Sequence, residues 1–183
     1  MDDYLHLLHA QEMDSVTFDR LMKEYGQEVW NYAYFMTRDY HAADDISQEV
    51  FLRVYRNFSG FRGESSVRTW LLRITRNMSL NYRKTAFVRR VFLRSDMSTD
   101  KRNRSAEEDV LDQDVCNEIW KIILGLPAPF REVLLLEIQF HYSTKETADL
   151  IGVSEGTVKS RLSRARQKVT AALKKAQEKE GLQ

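Results

Sequence analysis

The sequence predicts an all-α fold: two small helical domains joined by a flexible linker, the second containing a helix-turn-helix. Three observations predict it. Through residues 17–84 apolar side chains return every three or four places, with no strand-like alternation and no hairpin turn signal. Residues 94–109, RSDMSTDKRNRSAEED, have little apolar content and read as a tether. Residues 143–169 set two short helical patterns on either side of a glycine turn. The expected organisation is a first domain over 1–92, a linker over 93–110 and a second domain over 111–183.

In the first domain, TFDRLMKEYGQEVWNYAYFMTRD reads as one helix with Phe18, Leu21, Tyr25, Val29, Tyr32, Ala33 and Met36 toward a core. HAADDISQEVFLRVYRNFSGF reads as a second, covered on one side by Ile46, Val50, Phe51, Val54 and Phe58. Its opposite side carries Asp45, Gln48, Glu49, Leu52 and Arg56. Leu52 among acids and amides fits either an unremarkable exposed leucine or the apolar anchor of a protein interface. The loop SGFRGESS follows, and then VRTWLLRITRNMSLNYRK, with Trp70, Leu71, Ile74 and Met78 as its core stripe. Arg73, Arg76, Asn77, Asn81, Arg83 and Lys84 supply polar and basic reach. Basic groups beside Phe61, Trp70 and Tyr82 fit single-stranded nucleic acid, whose bases stack while cations follow the phosphates. For Trp70 a core position is the simpler reading, and Phe61 fits core or stacking equally.

In the second domain, VCNEIWKIILGLPAPFREVLLLEIQF supplies two helices broken at Gly125-Leu126-Pro127. Val133, Leu134, Leu136 and Ile138 are expected to bury beneath the final helix. Ser143 or Thr144 can cap the next helix, with Glu146 or Thr147 in its first turn. Gly152 can take the positive φ of a tight stop, and Ser154 can cap the last helix, with Glu155 at its positive end. On a wheel of about 100° per residue, Val158, Leu162, Ala165 and Val169 form one buried stripe. Ser160, Ser163, Arg164 and Gln167 face the other way. Lys159 and Arg166 flank them on one side, Arg161 and Lys168 on the other. A helix in the DNA major groove needs this arrangement: polar groups that reach base edges, and cations on both shoulders for phosphates.

Charge supports two contacts with a polyanion. The net of +1 divides into −6 over 1–61, +9 over 62–104, −7 over 105–151, +6 over 152–175 and −1 over 176–183. Other functions are poorly served. No apolar run is long enough for a bilayer, and the acidic start MDDYLHLLHAQEMD lacks the basic, then apolar, pattern of a signal peptide. Cys116 is a single thiol, and a reducing, cytoplasmic location is the simplest expectation. His6 and His9 are three apart but lack further ligands at metal spacing, and no phosphate loop or nucleophile motif occurs. No catalytic residue, metal, cofactor or small-molecule substrate is expected. A helix-turn-helix regulator that only binds duplex DNA would explain residues 143–169. It would leave the acidic face of 45–56 and the basic aromatic helix of 70–84 without a role.

Two stretches together carry a resemblance: DDISQEVFLRVYRNFSGFRGESSVRTWLLRITRN and LPAPFREVLLLEIQFHYSTKETADLIGVSEGTVKSRLSRAR. In this order, across a short linker, they resemble the bacterial sigma-70 family of RNA polymerase sigma factors, in its compact extracytoplasmic-function (ECF) branch. The resemblance implies a non-catalytic promoter-specificity subunit that binds core RNA polymerase, recognises −35 and −10 elements and promotes melting. It implies polymerase contact through Asp45, Gln48 and Glu49, on the same face as Leu52. It implies −10 contact through Arg53, Phe61 and Asn77, with Ser65, Ser66 and Arg68 nearby and Arg73 and Arg76 on the adjoining basic face. It implies −35 contact through Lys159, Ser160, Ser163 and Arg164, within the comb that also holds Arg161, Arg166, Gln167 and Lys168. Ser163 is smaller than the group some relatives carry there. A cognate anti-sigma factor, often membrane-bound, is an expected partner.

Overall fold

The structure, a computed structural model, describes residues 13–58, 61–93 and 116–180. The expected linker over 93–110 lies outside them from residue 94 onward, as do His6 and His9. All regular structure among the described residues is helical: α1 (Ser15–Thr37), α2 (Tyr40–Arg56), α3 (Val67–Leu93), α4 (Cys116–Gly125), α5 (Ala128–Ile138), α6 (Thr144–Ile151) and α7 (Glu155–Glu180). The chain forms two units, one holding α1–α3 and the other α4–α7.

In the first unit α1 starts where Asp14 accepts from the Val16 and Thr17 amides at 3.0 and 2.9 Å. It ends at Arg38, which takes the left-handed conformation at φ 60° while its N–H closes on the Tyr34 carbonyl. Asp39 then caps α2 through the Ala42 amide at 3.0 Å. One left-handed residue and one cap therefore reverse the chain and pair α1 with α2. The buried faces are the expected ones: Leu21, Tyr25, Val29, Tyr32, Ala33 and Met36 from α1, Ile46, Val50, Phe51 and Val54 from α2, and then Phe58. From α3 come Leu71 and Leu72, with two hydroxyls, Thr75 and Ser79, in the same interior. Each donates to its own helix, to the Leu71 carbonyl at 2.9 Å and the Thr75 carbonyl at 2.8 Å, so neither is stranded. α3 runs on to Leu93, past the expected end at Lys84, because no glycine or proline interrupts it.

The second unit is arranged around α5. Residues Arg131–Leu136 are all buried, which is the pattern of a helix with neighbours on every side. The α4–α5 break falls at Leu126-Pro127, where the Arg131 guanidinium donates to the Leu124 and Leu126 carbonyls at 2.7 and 3.1 Å. These are carbonyls that the end of α4 leaves without helical donors. Val133, Leu134 and Leu136 are buried as expected, but Ile138 is 45% exposed. It lies in the last turn of α5, and Phe140, 1% exposed, fills the interior instead.

The second helical pair follows its sequence signals closely. Ser143 and Glu146 form a reciprocal capping box at the start of α6. Gly152 ends it at φ 71°, ψ 44°, with its N–H donated to the Ala148 carbonyl at 2.9 Å. Ser154 accepts from the Thr157 amide at 3.2 Å and starts α7. The interruption between the helices is Gly152-Val153-Ser154, the geometry of a helix-turn-helix. A Cβ at Gly152 would meet nothing within 4 Å, so only the backbone conformation resists a side chain there. Gly152→Ala is expected to cost about 1 kcal/mol. Hydrogen exchange should report the loss as weaker protection of α6 and the first turns of α7. Unchanged protection would mean that the turn tolerates a right-handed alternative.

Candidate nucleic-acid interface

The site residues of the second unit sit on α7, a helix about 39 Å long at about 1.5 Å per residue for its 26 residues. Val158, Leu162 and Ala165 are buried and Val169 is half-buried, so the stripe faces the unit's interior. Lys159, Ser160, Ser163, Arg164, Arg166, Gln167 and Lys168 are exposed, and Arg161 is half-buried. Ser163, Arg166, Gln167, Thr170, Ala171 and Lys174 line one open groove along the helix.

The basic side chains are not equivalent. The Nη2 group of Arg166 donates to both Glu137 oxygens of α5, each at 2.7 Å. Lys168 lies over the Phe130 ring, 5.9 Å from its centroid. Lys159 stands 4.0 Å from Glu155, one turn earlier. Among the described residues no carboxylate comes within ion-pair distance of Arg161 or Arg164. Phe130 and Glu137 are seven residues apart, about 10 Å along α5. They meet opposite shoulders of α7, so α5 passes beneath it and touches both edges of the comb.

On the first unit, α2 exposes Asp45, Gln48, Leu52 and Arg56, with Glu49 half-buried. Arg53 donates to Glu49 at 2.8 Å, which joins a residue expected at the −10 element to one expected at the polymerase. Leu52 is 44% exposed and the neighbouring Tyr55 49%. Next to this acidic edge, the Trp30 indole N–H donates to Asp44 at 2.6 Å, and its ring stacks on Tyr34 with centroids 5.3 Å apart.

The loop and α3 also differ from the sequence expectation in detail. Phe61 is half-buried, with its ring centroid 5.3 Å from Trp70 and 6.3 Å from Phe58. Trp70 meets Phe58 edge-on at 6.3 Å, which gives it the packing position that was the simpler reading. Ser66 accepts from the Thr69 amide at 3.1 Å and so caps α3. Arg68 forms a two-pronged ion pair with Glu28 of α1, at 2.7 and 3.0 Å. Asn77 is exposed in the middle of α3, and Arg73 and Arg76 beside it are half-buried. Glu28 and Glu137, absent from the expected site, are 40 and 29 residues from their arginines. No local spacing pointed to them.

This geometry defines the class: an all-α protein of two units, the second presenting a basic helix-turn-helix. The family model for sigma-70 region 2 matches residues 21–86, and that for sigma-70 region 4 matches residues 116–169. The ECF RNA polymerase sigma factor SigX of Bacillus subtilis is 32% identical over 149 residues, which is 79% of this chain and 77% of SigX. SigM of the same organism is 27% identical over 156 residues, 85% of this chain and 94% of SigM. The sigma factor RpoE of Bartonella quintana, solved with the anti-sigma factor NepR, aligns with a TM-score of 0.70 at 21% identity, covering 86% of this chain and 96% of that one. The chain belongs to the sigma-70 family of RNA polymerase sigma factors, in its ECF branch. It is a transcription initiation factor of a non-catalytic family.

One ionisation follows from how the site is assembled. Burial pushes the Asp39 carboxyl up, but the Tyr82 hydroxyl, donating at 2.6 Å, and the Ala42 amide outweigh it and hold its pKa below the ordinary value. A depressed folded pKa contributes stability above the unfolded pKa, and that stability is lost as pH falls through the folded value. Tyr82→Phe should therefore destabilise the first unit by about 0.5 kcal/mol at pH 7, the low end for an exposed hydrogen bond. The difference should shrink as pH falls through the depressed Asp39 pKa. Denaturant unfolding at pH 7 and at acid pH checks the sign. An equal loss at both would place the effect in packing rather than in the Asp39 hydrogen bond.

Proposed function

We propose that this chain is a promoter-specificity subunit that binds core RNA polymerase, recognises −35 and −10 elements and promotes melting at initiation. The observation that carries the reading is the division of α7: Val158, Leu162 and Ala165 are buried, while Ser160, Ser163, Arg164 and Gln167 are exposed with cations on both shoulders. Lys159, Ser160, Ser163 and Arg164 read −35 base edges in the major groove. Arg161, Arg166 and Lys168 hold the backbone, with Gln167 on the exposed face between them. On the first unit, Asp45, Gln48, Glu49 and Leu52 form the polymerase face. The −10 element meets Arg53, Phe61, Ser65, Ser66, Arg68, Arg73, Arg76 and Asn77. Flipping a base costs a few kcal/mol, and the aromatic surface of Phe61 and the amide of Asn77 are the groups assigned to capture it.

The functional domains are taken as residues 1–92 and 111–183, with 93–110 between them. The protein acts in the cytoplasm, beside polymerase and DNA, without inserting in a membrane. An anti-sigma factor is its regulator. Two similar chains support that assignment: RpoE was solved with NepR, and CnrH with the cytosolic domain of CnrY at a TM-score of 0.63. Run-off transcription with core polymerase on genomic fragments, followed by start-site mapping, tests the function and yields both elements. No specific start above core polymerase alone would overturn it.

Two variant sets separate the assigned contacts. Charge reversal at Asp45 and Glu49 should weaken core-polymerase binding at least tenfold, with circular dichroism unchanged, because neither side chain is in the core. Wild-type affinity in the double variant would move the polymerase contact elsewhere. Arg164→Ala should cost about 1–3 kcal/mol and relax preference at one or two −35 positions. Arg161→Ala should weaken all sequences alike and flatten the salt dependence. A sequence-blind loss from Arg164→Ala would exclude its base contact.

A further inference from the structure

Arg166 and Lys168 flank the same face of α7, yet their intramolecular partners leave them with different charge. An aromatic ring is neutral, so Lys168 over Phe130 keeps its full positive charge. A carboxylate cancels one. Glu137 accepts from the Arg166 guanidinium with both oxygens, each at 2.7 Å, and the side chains are 33% and 60% exposed. At that exposure the pair is weak enough for a phosphate to compete for the arginine. Until a phosphate does so, Arg166 adds nothing to the field that draws α7 to DNA of any sequence.

From this pairing we infer that Glu137 is a specificity-determining positioning residue: it restrains Arg166 and thereby suppresses sequence-blind binding by α7. The inference rests on the reading of α7 as the −35-contacting helix. Affinity for random DNA comes from cations meeting phosphates, whereas discrimination comes from base-edge contacts. Cancelling one cation lowers binding to every sequence and leaves the base contacts of Arg164 and its neighbours in place. At the correct site those contacts hold a phosphate near Arg166 long enough to displace Glu137. At a wrong site nothing does. Selectivity is thus raised by an acid that never touches DNA.

The test uses the full chain bound to core polymerase, with a promoter fragment recovered by run-off transcription and a random-sequence duplex of equal length. Binding of both is measured over a range of KCl concentrations. Glu137→Gln keeps the size of the side chain and removes its charge. It should raise affinity for the random duplex by about threefold and steepen the slope of log K against log salt by about 0.9, the value for one more phosphate contact. The promoter-to-random ratio should fall. Glu137→Asp, which keeps the charge, should restore a wild-type ratio. In an Arg166→Gln background, Glu137→Gln should bring no gain. An unchanged slope and ratio in Glu137→Gln, or a gain that survives Arg166→Gln, overturns the role of Glu137 alone. A wild-type complex with no preference for the promoter fragment overturns the −35 reading and this inference together.

Discussion

The helix-turn-helix unit depends on the seating of α7 by three side chains, Val158, Leu162 and Ala165. At 100° per residue, burying one stripe fixes where every other side chain of the helix points. Ser160, Ser163, Arg164 and Gln167 are presented outward because those three are not. The seat is α5, whose residues Arg131–Leu136 are all buried, and the turn at Gly152 delivers α7 to it. An interface read by hydrogen-bond geometry needs a rigid support, because a small rotation of α7 would misaim all four polar side chains together. The capping box of α6, the left-handed glycine and the Ser154 cap define the entry to α7 through contacts that span only a few residues.

What was legible in the sequence follows from range. The buried stripes of α1, α2 and α7, the Ser143 and Ser154 caps and the Gly152 stop are decided within a few residues, and each was readable from spacing and residue type. Periodicity does not report where a neighbouring helix ends. Ile138 fits the apolar pattern of α5 but lies in its last turn, and Phe140 fills the interior in its place. Nor does periodicity report a partner far away in the chain. Arg68 and Arg166 read as free cations in the sequence, yet Glu28 and Glu137 hold them across 40 and 29 residues. Fold class depends on the local signals. Site electrostatics depends on the distant ones, so the fold was nearly complete in the sequence and the site was not.

The first unit shows the same division of labour within single residues. Ser66 caps α3, Arg68 ties α3 to α1, and Tyr82 ties α3 to the cap of α2. Phe61 packs on Trp70 and Phe58. A group that both supports the fold and meets nucleic acid must exchange one partner for the other. The net gain of such a contact is the difference between two interactions. Asn77 differs: it is exposed on a helix whose register is set by Leu71, Thr75 and Ser79, buried on the opposite side. Its amide is presented by the helix without being used by it, which suits a capturing group better than a serine already engaged as a cap.

Weak ion pairs then take on a meaning beyond stability. Exposed pairs contribute at most about 1 kcal/mol to folding, so Arg53–Glu49, Lys159–Glu155 and Arg166–Glu137 do little to hold the helices together. Their larger effect is on the field outside. A pair on the surface of a polyanion-binding protein removes a cation from the long-range attraction and returns it at contact, where a phosphate can replace the carboxylate. For a factor that must ignore most of a genome, lowering the background attraction is worth as much to the specificity ratio as strengthening a base contact. Basic residue count is therefore a poor guide to how firmly such a helix binds DNA in general. The better guide is which cations already have a carboxylate, and on α7 Arg161 and Arg164 have none within ion-pair distance among the described residues.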